Sequence, residues 1–163
     1  MDRVRVPRQR KAHILTFKRP IVGRARGFLP ENIYLMGQSL GTGVRVDLTS
    51  RETIGGMILE APFTSAPATL RHHFRIPIDC LLQTRYDSLA KIERINAPLA
   101  VVHARGDPVV PYGLGNALFD AAPEPKRLFT LDANLHEGAI MGLGVQGIEE
   151  LRAFIFENEA TLN

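Results

Sequence analysis

Residues 33–43, I-Y-L-M-G-Q-S-L-G-T-G, constrain the fold more than any other stretch of this chain. A short apolar run ends in Gly37-Gln38-Ser39-Leu40-Gly41 and an amphipathic segment follows, so the stretch reads as strand, sharp turn and helix. The G-x-S-x-G spacing has a steric basis: a serine at a tight strand-to-helix corner is crowded by any side chain two residues before or after it. Ser39 is thereby held out at the carboxyl end of a strand. The first helical amides, beginning with Leu40 N–H, point toward whatever Ser39 attacks and favour a developing oxyanion there. A turn serine that only caps its helix is the alternative reading.

Other apolar runs repeat the pattern. Residues 57–59, 99–103 and 127–131 are short and continuously apolar or nearly so, as strands buried on both faces are. Between them, residues 40–51 and 111–122 read as helices, the second with Leu114, Ala117, Leu118 and Ala121 on one side and Pro123 and Pro125 to stop it. Residues 148–156 close the chain as an amphipathic helix. Gly41 and Gly43 are expected to let the first helix lie close on the sheet. Residues 66–96 have mixed character, helix-like at 68–73, interrupted by Pro77, and read as a small helical, cap-like insertion between two strands. Strands alternating with helices imply an α/β fold, a parallel sheet of about four core strands with flanking helices and right-handed crossovers.

At 163 residues, 45% hydrophobic and 23% charged, the chain suits about one soluble domain. No apolar run reaches the roughly 18 residues of a membrane span and no secretory leader is recognisable, so a cytoplasmic location is expected. The single Cys80 excludes an internal disulfide and a cysteine-rich zinc site. Residues 1–30 form a separate basic extension: positions 1–26 hold nine Lys or Arg against Asp2 alone. That segment has only Phe17 to stack on bases, so a solvated extension is preferred over a nucleic-acid or membrane contact. Residues 13–17 suit a short strand.

In a parallel sheet, functional groups gather on loops beyond the strands' carboxyl ends. Three such loops supply Ser39, Asp107 and His136, in the chain order nucleophile, acid, base. A hydroxyl is a poor nucleophile until an imidazole takes its proton, and the imidazole needs a carboxylate to fix its tautomer and stabilise its cation. Glu60, after the preceding strand, is the alternative acid. His103, at a strand end, reads as a satisfied core histidine, and His72 and His73 with Arg71 and Arg75 as a solvated face. No spacing suggests a metal or a nucleotide: Gly142-Leu143-Gly144 lacks the preceding strand and the third glycine of a dinucleotide loop.

Taken together, G-Q-S-L-G at 37–41, E-A-P-F-T-S at 60–65, I-N-A-P at 95–98, H-A-R-G-D-P-V-V-P at 103–111 and the late His136 resemble the α/β-hydrolase superfamily over residues 31–158. The set is most similar to small-capped esterase-like or serine-aminopeptidase-like members. The resemblance implies a serine hydrolase without cofactor, cleaving small carboxylic esters or amides through an acyl-enzyme. Ser39 is then the nucleophile, His136 the base, Asp107 the orienting acid and Leu40 N–H an oxyanion donor, with residues 66–96 lining the pocket. The chain departs from the family by lacking the His-Gly loop that commonly gives a second oxyanion donor, and Ala104 and residues 132–135 stand where glycines are usual. Residues 31–163 thus correspond to the C-terminal portion of such a domain, and the competing reading is a hydrolase remnant acting as an interaction module. With its usual inner neighbours missing, the strand at residue 33 would be an apolar edge unless residues 13–17 cover it. Weak stability or self-association through that edge is expected, the latter as a sedimentation coefficient that rises with protein concentration; a well-behaved monomer with a high melting temperature contradicts both.

Overall fold

A computed structural model describes residues 13–14, 27–74 and 84–157 of the chain. Its five strands are β1 (His13–Ile14), β2 (Ile33–Gln38), β3 (Gly56–Glu60), β4 (Leu99–Ala104) and β5 (Lys126–Leu131), adjacent in that order and all parallel. The helices are α1 (Leu40–Thr49), α2 (Ala66–His73), α3 (Leu89–Ile92), α4 (Tyr112–Ala121), α5 (Ala139–Gly142) and α6 (Gly144–Glu157). The expected four core strands are β2 to β5. Ahead of them, β1 pairs His13 with Ile33 and Ile14 with Tyr34, covering the first two residues of the β2 edge. Cys80, Asp79, Arg75 and Pro77 lie outside the described residues, as does most of the basic extension.

The strand sequences explain a three-layer arrangement. Side chains alternate across the sheet, so Ile33, Leu35, Met57, Leu59, Leu99 and Val101 join Val46 of α1, Ile92 of α3 and Leu118 of α4 on one face. Tyr34, Ala100, Val102, Phe129 and Leu131 face the other way, against Leu151 and Ile155 of α6. Each residue of β4 is buried, which a strand with helices on both faces requires and which its sequence L-A-V-V-H-A supplies.

Where the elements differ in detail from the sequence expectation, packing decides. Of the apolar residues Leu40, Val44, Val46 and Leu48 in α1, only Val46 is fully buried; Leu40 is 52% exposed, and Thr42, Arg45 and Thr49 complete the inner face. Gly43 packs against the Tyr86 ring rather than the sheet, since a Cβ there would lie 2.8 Å from Tyr86 Cβ. In α4 the buried positions are Gly115 and Leu118, while Ala117 faces solvent. The final helix begins earlier than the periodicity suggests, at Gly144, whose φ of +69° separates it from the short α5.

Parallel strands in near register bring the carboxyl ends of β2 to β5 to one edge, and the loops that leave there are still pinned to the sheet. Ser39 N–H donates to Glu60 O at 2.9 Å, Ala61 N–H to Val102 O at 2.9 Å and Arg105 N–H to Leu131 O at 2.8 Å. Each loop therefore starts from a fixed root.

Burial sets the expected stability pattern. Leu59 is fully buried, so Leu59→Ala should lower the unfolding free energy by about 2–5 kcal/mol. Val145 is 83% exposed, and Val145→Ala should change it by less than about 0.5 kcal/mol. Urea titrations of both variants check the contrast.

Candidate active site

Ser39 stands between β2 and α1 with φ 48° and ψ −123°, a left-handed backbone value that L-residues avoid. Such a conformation costs on the order of 1–3 kcal/mol and persists only where neighbours fix it. Here Ser39 N–H is held by Glu60 O, while Ser39 O accepts from Thr42 N–H at 2.9 Å and from the Thr42 hydroxyl at 2.6 Å. Gly37 permits the crossing: a Cβ there would sit 2.8 Å from Arg45 Cγ and 2.9 Å from Gly41 O. The steric argument for the glycine spacing thus applies atom by atom at Gly37. Leu40, the first residue of α1, carries one of the amide N–H groups that a helix cannot satisfy internally.

Ser39, Asp107 and His136 come together. Ser39 Oγ is 2.9 Å from His136 Nε2, and His136 Nδ1 is 2.9 Å and 3.0 Å from the two Asp107 oxygens. The carboxylate can only accept, so Nδ1 carries the ring proton and Nε2 is left as acceptor for the Ser39 hydroxyl. The Asp107 side chain is 1% exposed and His136 15%. Removal of a carboxylate from water is costly unless donors replace the water. Asp107 Oδ1 accepts from Val109 N–H at 2.8 Å and Val110 N–H at 2.9 Å, a turn made by the sequence D-P-V-V itself. The acid and histidine loops also touch directly: Gly106 N–H donates to Ala133 O at 3.1 Å, and a Cβ on Gly106 would overlap the Asn134 side-chain oxygen.

Glu60 is buried beside the site, but one of its oxygens accepts from Ile140 N–H at 3.3 Å near the start of α5, and His136 is paired with Asp107. His72 and His73 are exposed, yet His73 Nε2 lies 2.6 Å from Val109 O and so ties α2 to the acid loop. That contact had no signal in the sequence. His103 is more than a satisfied core residue. It is fully buried, its Nε2 lies 3.1 Å from Val110 O and 3.3 Å from Asp107 Oδ2, and its Nδ1 has no partner. Burial pushes its pKa below the ordinary 6.5, overcoming the opposite pull of the Val110 carbonyl and Asp107.

A cleft of about 300 Å³ opens beside Ser39, at the small end of ligand pockets. Its walls are mainly carbon, from Leu40, Phe63, Ala66, Leu70, Val109 and Val110. Thr69 also lines it, but its hydroxyl is buried without a partner and is closed off from the space. Both α2 and the 84–86 segment contribute to this wall. Among the described residues no three His, Cys, Asp or Glu side chains cluster as metal ligands would, and no helix is long and apolar enough to cross a membrane.

A protein of Mycobacterium tuberculosis of uncharacterised function is 32% identical over 135 residues, covering 78% of this chain and 46% of that protein. The human alpha/beta hydrolase domain-containing protein 17C is 32% identical over 129 residues, covering 79% of this chain and 38% of that protein. The esterase domain of a Rhodothermus marinus protein superposes with a TM-score of 0.55 at 20% identity, over 74% of this chain and 58% of that one. The chain has the α/β-hydrolase fold and is similar in sequence to alpha/beta hydrolase domain-containing proteins. No family model matches it. The chain spans less than half the length of the curated relatives it matches.

The buried imidazole of His103 gives a pH signature. Its pKa is lower folded than unfolded, so the unfolded chain takes up the proton first as pH falls. This contribution to stability is complete above the ordinary histidine value of about 6.5 and is lost progressively below it. Urea midpoints should drop between pH 7.5 and 5.5, and His103→Gln should shrink that drop.

Proposed function

We propose that the site is that of a serine hydrolase cleaving carboxylic esters. The observation that carries this reading is the continuous hydrogen-bonded relay from Ser39 Oγ through His136 to the buried Asp107. His136 Nε2 takes the Ser39 proton as Oγ attacks the acyl carbon, and the resulting imidazolium is stabilised by Asp107. Leu40 N–H, at the positive end of α1, donates to the oxyanion of the tetrahedral intermediate. Collapse expels the alcohol, which receives the proton from His136 and leaves an acyl group on Ser39. Water then attacks with the roles of His136 repeated, and the acid is released.

The carbon-lined cleft supports an apolar acyl or alcohol group of modest size. Kinship with alpha/beta hydrolase domain-containing proteins and the fold shared with an esterase domain agree with hydrolysis. Amides are the harder variant of the same chemistry, because their leaving group must be protonated as it departs.

The test is labelling by a fluorescent fluorophosphonate and hydrolysis of short-chain p-nitrophenyl esters. Ser39→Ala and His136→Ala should abolish labelling, and Asp107→Asn should lower kcat by about 10³-fold or more, since the amide favours the wrong histidine tautomer. Folded wild-type protein that resists the probe would favour the interaction-module reading.

A further inference from the structure

We infer that His103 is a positioning residue for Asp107, holding the acid's loop in place. The inference rests on the reading of Ser39, His136 and Asp107 as a hydrolytic relay. His103 is the penultimate residue of β4, fully buried, and its Nε2 meets two acceptors, Val110 O at 3.1 Å and Asp107 Oδ2 at 3.3 Å. Two oxygens at one ring nitrogen require the proton there. Nδ1 is then a bare lone pair, enclosed and without a partner, facing Gly115. A Cβ on Gly115 would overlap that nitrogen, so the glycine of α4 leaves room for the ring in this orientation.

A side chain needed only to fill space at this point would be apolar and would leave no nitrogen unsatisfied. The imidazole instead reaches from the strand to the loop and closes a ring of contacts. Nε2–H holds Val110 O, Val110 N–H holds Asp107 Oδ1, and the same Nε2–H lies beside Asp107 Oδ2. Neutrality matters as much as reach. A cation here would compete with His136 for the charge of Asp107, the charge that stabilises the imidazolium during turnover. The groups around His103 are Asp107 of the acid loop, His136 of the histidine loop and Tyr112 of α4, whose ring centroid is 5.4 Å away with the Arg105 guanidinium 5.3 Å from that ring. Burial favours the uncharged ring against the opposite pull of Asp107 and the Val110 carbonyl.

Three variants separate positioning from packing. His103→Leu keeps the bulk and removes the N–H; His103→Gln keeps an N–H of similar reach; Gly115→Ala displaces the ring. With a p-nitrophenyl ester, the Leu variant should lose about tenfold in kcat with KM within about twofold, less than an ångström of misplacement costs. Losing the donor also concentrates the Asp107 charge on His136, so the acid limb of the kcat/KM profile should move to higher pH. The Gln variant should retain both values, and Gly115→Ala should resemble Leu. A Leu variant with wild-type kcat and pH limb, or a Gln variant as impaired as Leu, overturns the inference. Ring-nitrogen NMR decides it independently of turnover. In the wild type His103 should stay neutral and protonated on Nε2 throughout the pH range of turnover. A charged or Nδ1-protonated His103 overturns the inference even if no variant folds. Failure of all forms to hydrolyse ester or take the fluorophosphonate, with these NMR signatures present, would count against the hydrolytic reading alone.

Discussion

A serine held in a backbone conformation that its own side chain disfavours is the constraint from which the rest of the site follows. With φ at 48°, Ser39 would relax unless the chain on both sides were fixed. Fixing comes from β3, whose Glu60 carbonyl takes the Ser39 N–H, and from α1, where Thr42 gives Ser39 O two donors. The sheet pairing of β2 with β3 and the start of α1 are thus part of the geometry of Ser39. Gly37 lets strand and helix approach closely enough for both sets of bonds to form at once.

Asp107 poses the opposite problem, a charge that the fold removes from water. Compensation is local and built from sequence neighbours, since Val109 and Val110 turn their amides back onto Oδ1. The remaining acceptor capacity is directed at His136 and lies against His103. Contact between the two loops depends on a small residue. Gly106 admits Asn134 against the backbone, and Gly106 N–H bonds to Ala133 O, so the histidine loop is seated on the acid loop before any side chain of the relay is considered.

Much of this was legible in sequence because it rests on local signals. The G-Q-S-L-G corner, the four apolar runs and the order of Ser39, Asp107 and His136 each follow from backbone sterics, two-face burial and the common edge of a parallel sheet. What was not legible depends on which way a helix rolls. In α1 the buried face includes Arg45, whose Nε donates to Met36 O at 3.0 Å, and that choice is invisible in apolar periodicity. Likewise His103 looked like a core histidine because a strand-end histidine next to apolar residues carries no mark of its partners. Its distances to Val110 O and Asp107 Oδ2 arise from the return of the chain after Pro108. The His73 bond to Val109 O joins residues 36 positions apart, beyond any spacing rule.

Residues 107–110 join the two halves of the site. Their amides hold the carboxylate, their carbonyls accept from His103 and His73, and the Val109 and Val110 side chains form part of the apolar cleft. A group lodged in that cleft would press on the same four peptide units that fix Asp107. Cleft shape and relay geometry are therefore coupled through one short turn. The contact from His73 extends the coupling to α2, so a change in the position of this helix reaches the carboxylate through Val109. Enlarging the cleft at Val110 would loosen the acid as well.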